Sequence, residues 1–253
     1  MPTTRRKAPT STRAASAGNA STAIAAGKTA TAGRAAAVRR KPVPQSVRRR
    51  TTEAAILKSA ETLFVKQGFH RTTVDQIASA ANLTKGAVYV HFKDKQEVLM
   101  VLLERAEEQV IRPILDKLEE PGMSVRSKLV HYLHAWSKVA IDRRNTMFLP
   151  ILMSFEFLGT NEPIEKKIAE IYEQYYSALG AVISEGQATG LIEPTRSTRE
   201  HAAVLVGFME GMLLEWLRRG KSFDGREVTD VSRRMLLEGL FSKPGPSPSP
   251  QSM

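Results

Sequence analysis

The sequence predicts an all-α protein of roughly nine helices. Apolar side chains recur at i, i+3 and i+4 through most of residues 53–242, the spacing that places them on one face of a helix. Breaks in this pattern fall at Gly68 and at the EEPG segment of residues 119–122, where helices are expected to end. No segment shows the alternation of apolar and polar residues that is typical of a strand.

Composition and charge narrow the class of protein. The 253 residues include no cysteine, which excludes disulfides and thiolate zinc sites and is typical of a reducing cytosol. No uncharged run reaches the ~18 residues of a transmembrane helix, so no membrane association is expected. The net charge is +11, yet twelve of the 37 basic residues and no acidic residue lie within residues 1–50. Residues 51–253 contain the other 25 basic residues and all 26 acidic ones, so this part of the chain carries a net charge of −1.

Both ends of the chain are predicted to be disordered tails. Residues 1–47 are rich in Ala, Thr, Ser and Arg and hold too few large apolar side chains to offset the entropy of ordering. Their composition also resembles an organellar transit peptide, and a later start of translation would leave part of the segment out. Residues 243–253 alternate Pro and Ser and form the second predicted tail.

The helices follow in order between these tails. A first helix over 53–67 ends at Gly68, and a short second helix follows Thr73. After Lys93 a longer helix runs toward Leu118, with a kink expected at Pro113. The remaining helices are predicted over 124–142, 146–158, 163–188, 198–219 and 228–242.

Residues 73–92 form a predicted helix-turn-helix. Ile77 and Val88 supply the small core, and Ala81 permits close approach of the two helices. Asn82 occupies the turn, where a left-handed backbone is needed that Asn tolerates better than most residues. A helix of about eight residues is ~12 Å long, comparable with the width of a DNA major groove.

Gly86 stands in the first turn of this second helix, where it weakens helix formation. One interpretation is that the missing side chain brings the backbone close to DNA, with Thr84 and Lys85 beside it and with Tyr89 and His91 on phosphates. The other interpretation is that Gly86 serves close helix packing and that Tyr89 is a half-buried surface aromatic.

The segment GFHRTTVDQIASAANLTKGAVYVHFKDKQEVL resembles the DNA-binding domain of TetR/AcrR-type transcriptional regulators. The positions that carry the resemblance are Gly68-Phe69, Thr72-Thr73, Ile77-Ala78, Thr84-Lys85-Gly86, Tyr89, His91-Phe92 and Lys95. The resemblance covers about residues 50–110, and Asn82 replaces the glycine usual in the turn. Because that family is prokaryotic, the resemblance argues against a transit peptide and implies a cytoplasmic, nucleoid-associated protein.

The resemblance also implies a domain plan. A basic tail (1–47) would precede a three-helix helix-turn-helix domain (48–96), a larger helical domain for effector binding and dimerisation (97–242) and the final tail (243–253). The expected DNA-binding residues are Arg49, Arg50, Thr73, Thr84, Lys85, Gly86, Ala87, Tyr89, His91 and Lys95. Lys95 is expected to hold a phosphate at a helix N-terminus, and the arginines just before the first helix are expected to reach the minor groove.

A dimer interface is predicted on the last two helices. The segment AAVLVGFMEGMLLEWL at 202–217 is apolar on nearly every face, which indicates burial on two sides. Gly207 and Gly211 lie four residues apart and would let a partner helix approach closely. The interface set is Gly207, Gly211, Leu214, Leu236 and Leu240, and the alternative is the central helix of a monomeric bundle.

The resemblance implies a pocket for a hydrophobic effector, and aromatic and methionine residues suit one. The candidates are Trp136, Met147, Phe148, Ile151, Phe155, Tyr172, Tyr176, Phe208 and Met212, any of which could equally be plain core. Glu156 and Glu210 lie in apolar runs and could bind a cation or simply mark a helix surface.

No cofactor, metal site or enzyme activity is expected. His131 and His134 are three residues apart but have no obvious third ligand. The sequence contains no nucleophile elbow and no phosphate-binding loop.

The predicted function is a homodimeric repressor that an effector releases from a palindromic operator, with the helix from Lys95 linking the two domains. Two rival hypotheses are an architectural nucleoid-type protein that uses its basic tail without an effector, and a binder of anionic membranes. The membrane hypothesis leaves the helix-turn-helix unexplained.

Overall fold

The computed structural model describes residues 44–160, 162–194 and 196–241. Most of the predicted N-terminal tail and all of the C-terminal tail lie outside these residues. The described residues form ten α-helices and no β-strand, apart from one isolated bridge between Ile192 and Phe241. None of the described helices has the length and apolar character required to cross a membrane.

Four helices make up the N-terminal part and its exit. They are α1 (Gln45–Gln67), α2 (Val74–Ala80), α3 (Lys85–Tyr89) and α4 (Lys95–Ala106). The first helix begins eight residues before the predicted 53, so that residues 45–47 are helical and not part of a tail. The next three helices begin at side-chain caps, in which Thr73, Thr84 and Asp94 accept hydrogen bonds from Gln76, Ala87 and Glu97 backbone N–H groups.

The predicted kink at Pro113 takes the form of a π-helical turn, Glu107–Ile111, between α4 and α5 (Arg112–Asp116). In a regular α-helix the proline ring would collide with the carbonyl of Gln109, four residues earlier, so the helix widens just before it. Lys167 and Gln174 of a later helix hold this turn in place, each with a nitrogen 2.6 Å from the buried Glu107 carboxylate.

Five helices complete the C-terminal part. They are α6 (Val125–Asp142), α7 (Arg144–Phe157), α8 (Pro163–Ala188), α9 (Thr198–Arg219) and α10 (Gly225–Leu240), with a 3-10 turn at Gly220–Ser222. Their bounds lie within three residues of those predicted from apolar periodicity. Long helices α8 and α9 pack along each other, and one continuous apolar core runs from α1 to α10.

Candidate nucleic-acid interface and effector cavities

The turn between α2 and α3 has the geometry that the sequence predicts. Asn82 has a positive φ of 56°, the left-handed conformation expected of it, and the Leu83 N–H donates to the Ala78 carbonyl at 2.9 Å. Ile77 and Val88 are buried in the core between the two helices. Helix α3 has five residues where about eight were predicted, since the chain turns at Val90 and leaves His91 beyond the helix.

The outer face of α3 is open. Thr84, Lys85 and Gly86 are exposed, and Tyr89 is 49% exposed. A Cβ added to Gly86 would meet only the Thr84 hydroxyl, at 4.0 Å. Close packing against another helix therefore does not account for this glycine, which leaves room for backbone to approach a partner outside the chain. Ala87 and His91 are half-buried on the same unit.

Lys85 pairs with Asp75 of α2 across an Nζ–Oδ2 distance of 2.7 Å. The hydrogen bond to that carboxylate raises the pKa of Lys85 above its ordinary value. Both side chains are more than half exposed, so the pair can open when a phosphate competes for the ammonium group. Thr73 and Thr84 use their oxygens as cap acceptors, and each hydroxyl proton stays available to a phosphate.

Lys95, one of the predicted DNA-binding residues, contacts the chain itself through its ammonium group. The Lys95 ammonium group donates to the Phe69 carbonyl at 2.7 Å and the Thr72 carbonyl at 2.8 Å, and it lies 4.0 Å from the centre of the Phe69 ring. Burial lowers its pKa, against the opposing effect of the Glu156 carboxylate. Lys95 therefore braces the loop before α2 with two of its three N–H groups, and its expected phosphate contact stays a prediction.

Arg49 and Arg50 differ from the prediction in their backbone. Both lie in the first turns of α1, with exposed side chains, and not in an arm that precedes the helix. A helical backbone cannot follow a minor groove as an extended arm does, so any contact with DNA would be made from the helix surface.

Residues 68–72 form the loop between α1 and α2, and Glu156 of α7 also holds this loop. Its two carboxylate oxygens accept from the Phe69 N–H at 2.9 and 3.1 Å, and one of them accepts from the His70 N–H at 3.2 Å. The Phe157 ring lies 5.1 Å from the Phe69 ring. Sequence reasoning treated Glu156 as a possible cation ligand and missed this role, whose only signal was an acid within an apolar helix.

Gly68 is required at the start of that loop. Its φ is +86°, and a Cβ on this residue would lie 2.4 Å from Glu156 Oε1. The glycine therefore serves the contact between α7 and the helix-turn-helix.

A large cavity of about 950 Å³ lies between α6, α9, α10 and the 3-10 turn. Its apolar wall includes Leu133, Trp136, Met209, Met212, Leu213 and Trp216. Exposed charged residues stand at its edge, among them Lys138, Asp224, Arg226 and Asp230. Sequence reasoning missed the contribution of α10, because its cavity-facing residues are small or polar.

A small cavity of about 10 Å³ lies deeper, between α6, α7, α8, α9 and the π-helical turn. It brings together Trp136, Met147, Ile151 and Tyr172 from the predicted set, and adds Tyr175 and Glu210. Trp136 lines both cavities.

The other predicted pocket residues lie elsewhere. Phe155 is 68% exposed on α7 and lines neither cavity, so the structure gives its pocket assignment no support. Phe148 is fully buried core beside Trp216, while Tyr176 and Phe208 are partly buried and line neither cavity. Apolar periodicity predicts which face of a helix is buried, but it does not predict whether that face packs against other helices or lines a cavity.

The predicted dimer residues lie on α9 and α10. A Cβ added to Gly207 or Gly211 would meet nothing within 4 Å, and Leu214, Leu236 and Leu240 are half-buried. Val204 (65% exposed) and Met235 (63% exposed) extend this surface with bare apolar side chains on α9 and α10. Among the described residues no group of three or more His, Asp or Glu is arranged to hold a metal ion.

Models of known protein families match both the N-terminal and the C-terminal part of the chain. The profile described as "Bacterial regulatory proteins, tetR family" matches residues 56–101, and that described as "YsiA-like protein, C-terminal region" matches residues 105–239. The HTH-type transcriptional regulator AcrR of Shigella flexneri is 29% identical over 191 residues, 74% of this chain and 88% of that protein.

Solved structures share the fold. The MbdR regulator from Azoarcus sp. CIB has a TM-score of 0.69 and 34% identity, over 75% of this chain and 98% of that one. FadR from Bacillus subtilis, in complex with stearoyl-CoA, has a TM-score of 0.62 and 22% identity, over 74% of this chain and 98% of that one. These relatives are regulators of transcription and not enzymes. With an exposed α3 on a helix-turn-helix and profile matches over both parts of the chain, this protein belongs to the TetR/AcrR family of DNA-binding transcriptional regulators.

Proposed function

We propose that the protein is a homodimeric repressor that binds a palindromic operator and is released from it by a hydrophobic effector. The observation that carries the DNA-binding part is the open outer face of α3. Thr84, Lys85 and Tyr89 offer hydrogen bonds and charge there, and the space at Gly86 allows the backbone to approach base edges.

The α9–α10 surface is proposed as the dimer contact. Two open glycines permit close approach of a partner helix, and the exposed Val204 and Met235 are apolar area that a second copy would cover. A two-fold dimer would present two α3 helices to a site of matching symmetry, with half-sites ~34–36 Å apart.

The effector is proposed to bind in the large cavity, whose volume of about 950 Å³ and apolar wall suit a hydrophobic molecule. The stearoyl-CoA bound to FadR, a relative of the same fold, makes an acyl thioester the first ligand to try. The cavity also weighs against a purely architectural DNA-binding role, which needs no site for a small molecule.

Two connections are proposed to carry the effector signal to α3. The first is α4, which starts in the helix-turn-helix and continues through the π-helical turn into the C-terminal part. The second is α7, which lines the small cavity with Met147 and Ile151 and ends on the loop of residues 68–72 through Glu156. An effector that moves either helix would change the position of α3. The basic residues 1–43, outside the described residues, are proposed to add salt-dependent phosphate contacts in a cytoplasmic, nucleoid-bound protein.

A gel-shift titration on the DNA upstream of the protein's own gene tests the proposal. We expect a sequence-selective complex that unrelated DNA of equal length does not compete away, and that stearoyl-CoA or another apolar ligand releases in a saturable manner. Failure to form a selective complex at any salt concentration would refute operator binding. A selective complex that no apolar ligand releases, together with no ligand binding by calorimetry, would refute the effector part alone.

A further inference from the structure

The interior between α6, α7, α8 and α9 contains polar groups that the described chain leaves without full hydrogen bonding. Tyr132 and Trp136 are 0% and 2% exposed, and neither the Tyr132 hydroxyl nor the Trp136 N–H has a hydrogen-bond partner among the described residues. The indole N–H lies close to the hydroxyl, but the two do not meet in hydrogen-bond geometry. Buried polar groups in native proteins are normally satisfied, so two such groups side by side call for a partner from outside the chain.

A carboxylate lies in the same interior. Glu210 of α9 accepts the hydroxyl proton of Tyr172 through Oε1. No hydrogen bond to Oε2, and no ion pair with a Lys, Arg or His, occurs within the described residues. Glu210 is half-buried, and this burial raises its pKa against the effect of the Tyr172 hydrogen bond, as expected of a carboxyl group partly removed from water without a cation.

Except for Tyr132, which lies behind Trp136, these groups border the small cavity. Trp136, Tyr172, Tyr175 and Glu210 all line it, and its volume of about 10 Å³ is close to that of one water-sized group. Tyr132 and Tyr175 flank Trp136, with ring centres at 6.3 and 5.9 Å. The cavity is therefore small and largely apolar, with the Trp136 indole on the α6 side and the Glu210 carboxyl group on the α9 side.

We propose that this small cavity is a polar subsite that binds one neutral hydroxyl group of the effector. A hydroxyl oxygen can accept from the Trp136 N–H, and its proton can go to Glu210 Oε2, so one group satisfies both sides. An anionic head group would face Glu210 with no cation nearby. An ammonium head group would pair with Glu210 but would leave the indole N–H without an acceptor.

The rest of the ligand would lie in the large cavity. Trp136 lines both cavities, and α9 contributes Glu210 to the small one while Met209 and Met212 line the large one. The ligand class that fits is an apolar molecule with a single hydroxyl group. This inference deepens the proposed function, because it names the chemistry that the effector site recognises.

The test compares four probes with the same eight-carbon chain, namely octan-1-ol, 1-fluorooctane, octanoate and octylammonium. Each is titrated into the full-length wild-type protein by calorimetry, without DNA. We expect octan-1-ol to bind about tenfold more tightly than 1-fluorooctane, which has nearly the same shape but cannot donate and accepts poorly. Octanoate and octylammonium are expected to bind more weakly than the alcohol.

Three variants locate the hydroxyl. The ratio of the 1-fluorooctane and octan-1-ol dissociation constants should fall toward one in Trp136→Phe and in Glu210→Leu. The matched control Trp216→Phe, which removes the other indole on the large cavity, should keep the wild-type ratio. A ratio is used because loss of packing alone weakens both probes together.

Equal affinity of the alcohol and the fluoride for the wild-type protein would overturn the proposal, and this comparison requires no variant to fold. Tighter binding of octylammonium would show a cation site instead. A preference for the alcohol that survives in both Trp136→Phe and Glu210→Leu would place the hydroxyl elsewhere. Because no DNA is present, failure of the subsite leaves operator binding intact, and failure of operator binding leaves the subsite intact.

Discussion

The Glu156 carboxylate of α7 accepts the Phe69 backbone N–H through both of its oxygens, at 2.9 and 3.1 Å. This contact joins residues 87 positions apart in the chain and fixes the loop that leads directly into α2. Lys95 holds the same loop through two carbonyl oxygens. The helix-turn-helix is thereby clamped between α4 and α7, the two helices that lead from the C-terminal part.

Replacement of Glu156 is expected to weaken both folding and operator binding. In Glu156→Ala the Phe69 and His70 N–H groups lose their acceptor, which should lower the free energy of unfolding by about 1–3 kcal/mol. Operator affinity should fall further than this loss of stability explains, because the loop sets the position of α2 and α3. Denaturant unfolding and gel-shift titration measure the two effects. Thr146→Val is the control, since Thr146 also joins α7 to α1, through Glu61, but does not touch the loop. Equal operator affinity in Glu156→Ala and wild type would contradict the clamp.

Gly68→Ala tests the same contact from the other side. The new Cβ would lie 2.4 Å from Glu156 Oε1 on a backbone with φ +86°, so the variant should be destabilised by roughly 1–3 kcal/mol. Part of this loss in the free energy of unfolding comes from the steric clash with Glu156, and that part should disappear in a background with Glu156→Ala. A double-mutant cycle with Glu156→Ala is therefore expected to show a total loss smaller than the sum of the single losses. Strict additivity would mean that backbone strain alone explains Gly68.

The two lysines of the helix-turn-helix should respond differently to the loss of charge. Lys85→Met removes an exposed ammonium group, and the slope of log affinity against log salt should become shallower by about 0.9. Lys95→Met should leave the slope unchanged and lower the melting temperature, because the Phe69 and Thr72 carbonyls lose their donor. The salt dependence of gel shifts and a thermal melt measure these effects. A shallower slope in Lys95→Met would instead support the phosphate contact expected from the sequence.

Substitution of the open glycines should separate the proposed dimer without unfolding the monomer. Gly207→Leu and Gly211→Leu add side chains to space that is empty in the single chain, and leucine favours a helix more than glycine does. We expect the dimer dissociation constant from sedimentation velocity to rise at least about tenfold, which corresponds to about 1.4 kcal/mol. Gly180→Ala on α8 is the control, with an added Cβ in ordinary contact with Thr198 at 3.8 Å. A dimer of unchanged affinity in both leucine variants would move the interface elsewhere.

Stability is expected to depend on pH through Glu210. Because burial raises its folded-state pKa, the folded chain holds this proton to a higher pH than the unfolded chain does. The contribution of Glu210 to stability is therefore complete below the unfolded pKa of about 4.3 and is lost as pH rises through the folded pKa. Glu210→Gln cannot ionise, so its stability relative to wild type should increase as pH rises from about 4 through the raised folded-state pKa. Urea unfolding across this range measures it, with the exposed Glu238→Gln as the control. A constant difference would show that Glu210 is not the titrating group.

Local pattern was enough to predict most of the fold. The ends of α6 to α9 follow from apolar periodicity, and the left-handed turn follows from Asn82 between two short helices. These features depend on residues within a few positions of each other, so a single sequence contains the information.

The candidate site was predicted less completely, for reasons visible in particular residues. The motif gave Lys95 a phosphate role, but its ammonium group is occupied by carbonyls 23 and 26 residues away. Phe155 has the chemistry of a pocket residue and lies on the outside of α7. A cavity forms where several helices leave space between them. The sequence pattern of one helix therefore cannot predict it.

The sequence by itself determined the helices, the turn at Asn82 and the kind of surface that α3 presents, because hydrogen bonds and apolar faces within one helix are local. Only the tertiary structure decided that Glu156 and Lys95 hold the loop before α2, and that Trp136 and Glu210 border one cavity. Such roles depend on the burial of a charge and on the partners that distant segments bring to it. The same side chain is a surface ligand when it is solvated and a structural clamp when other helices surround it.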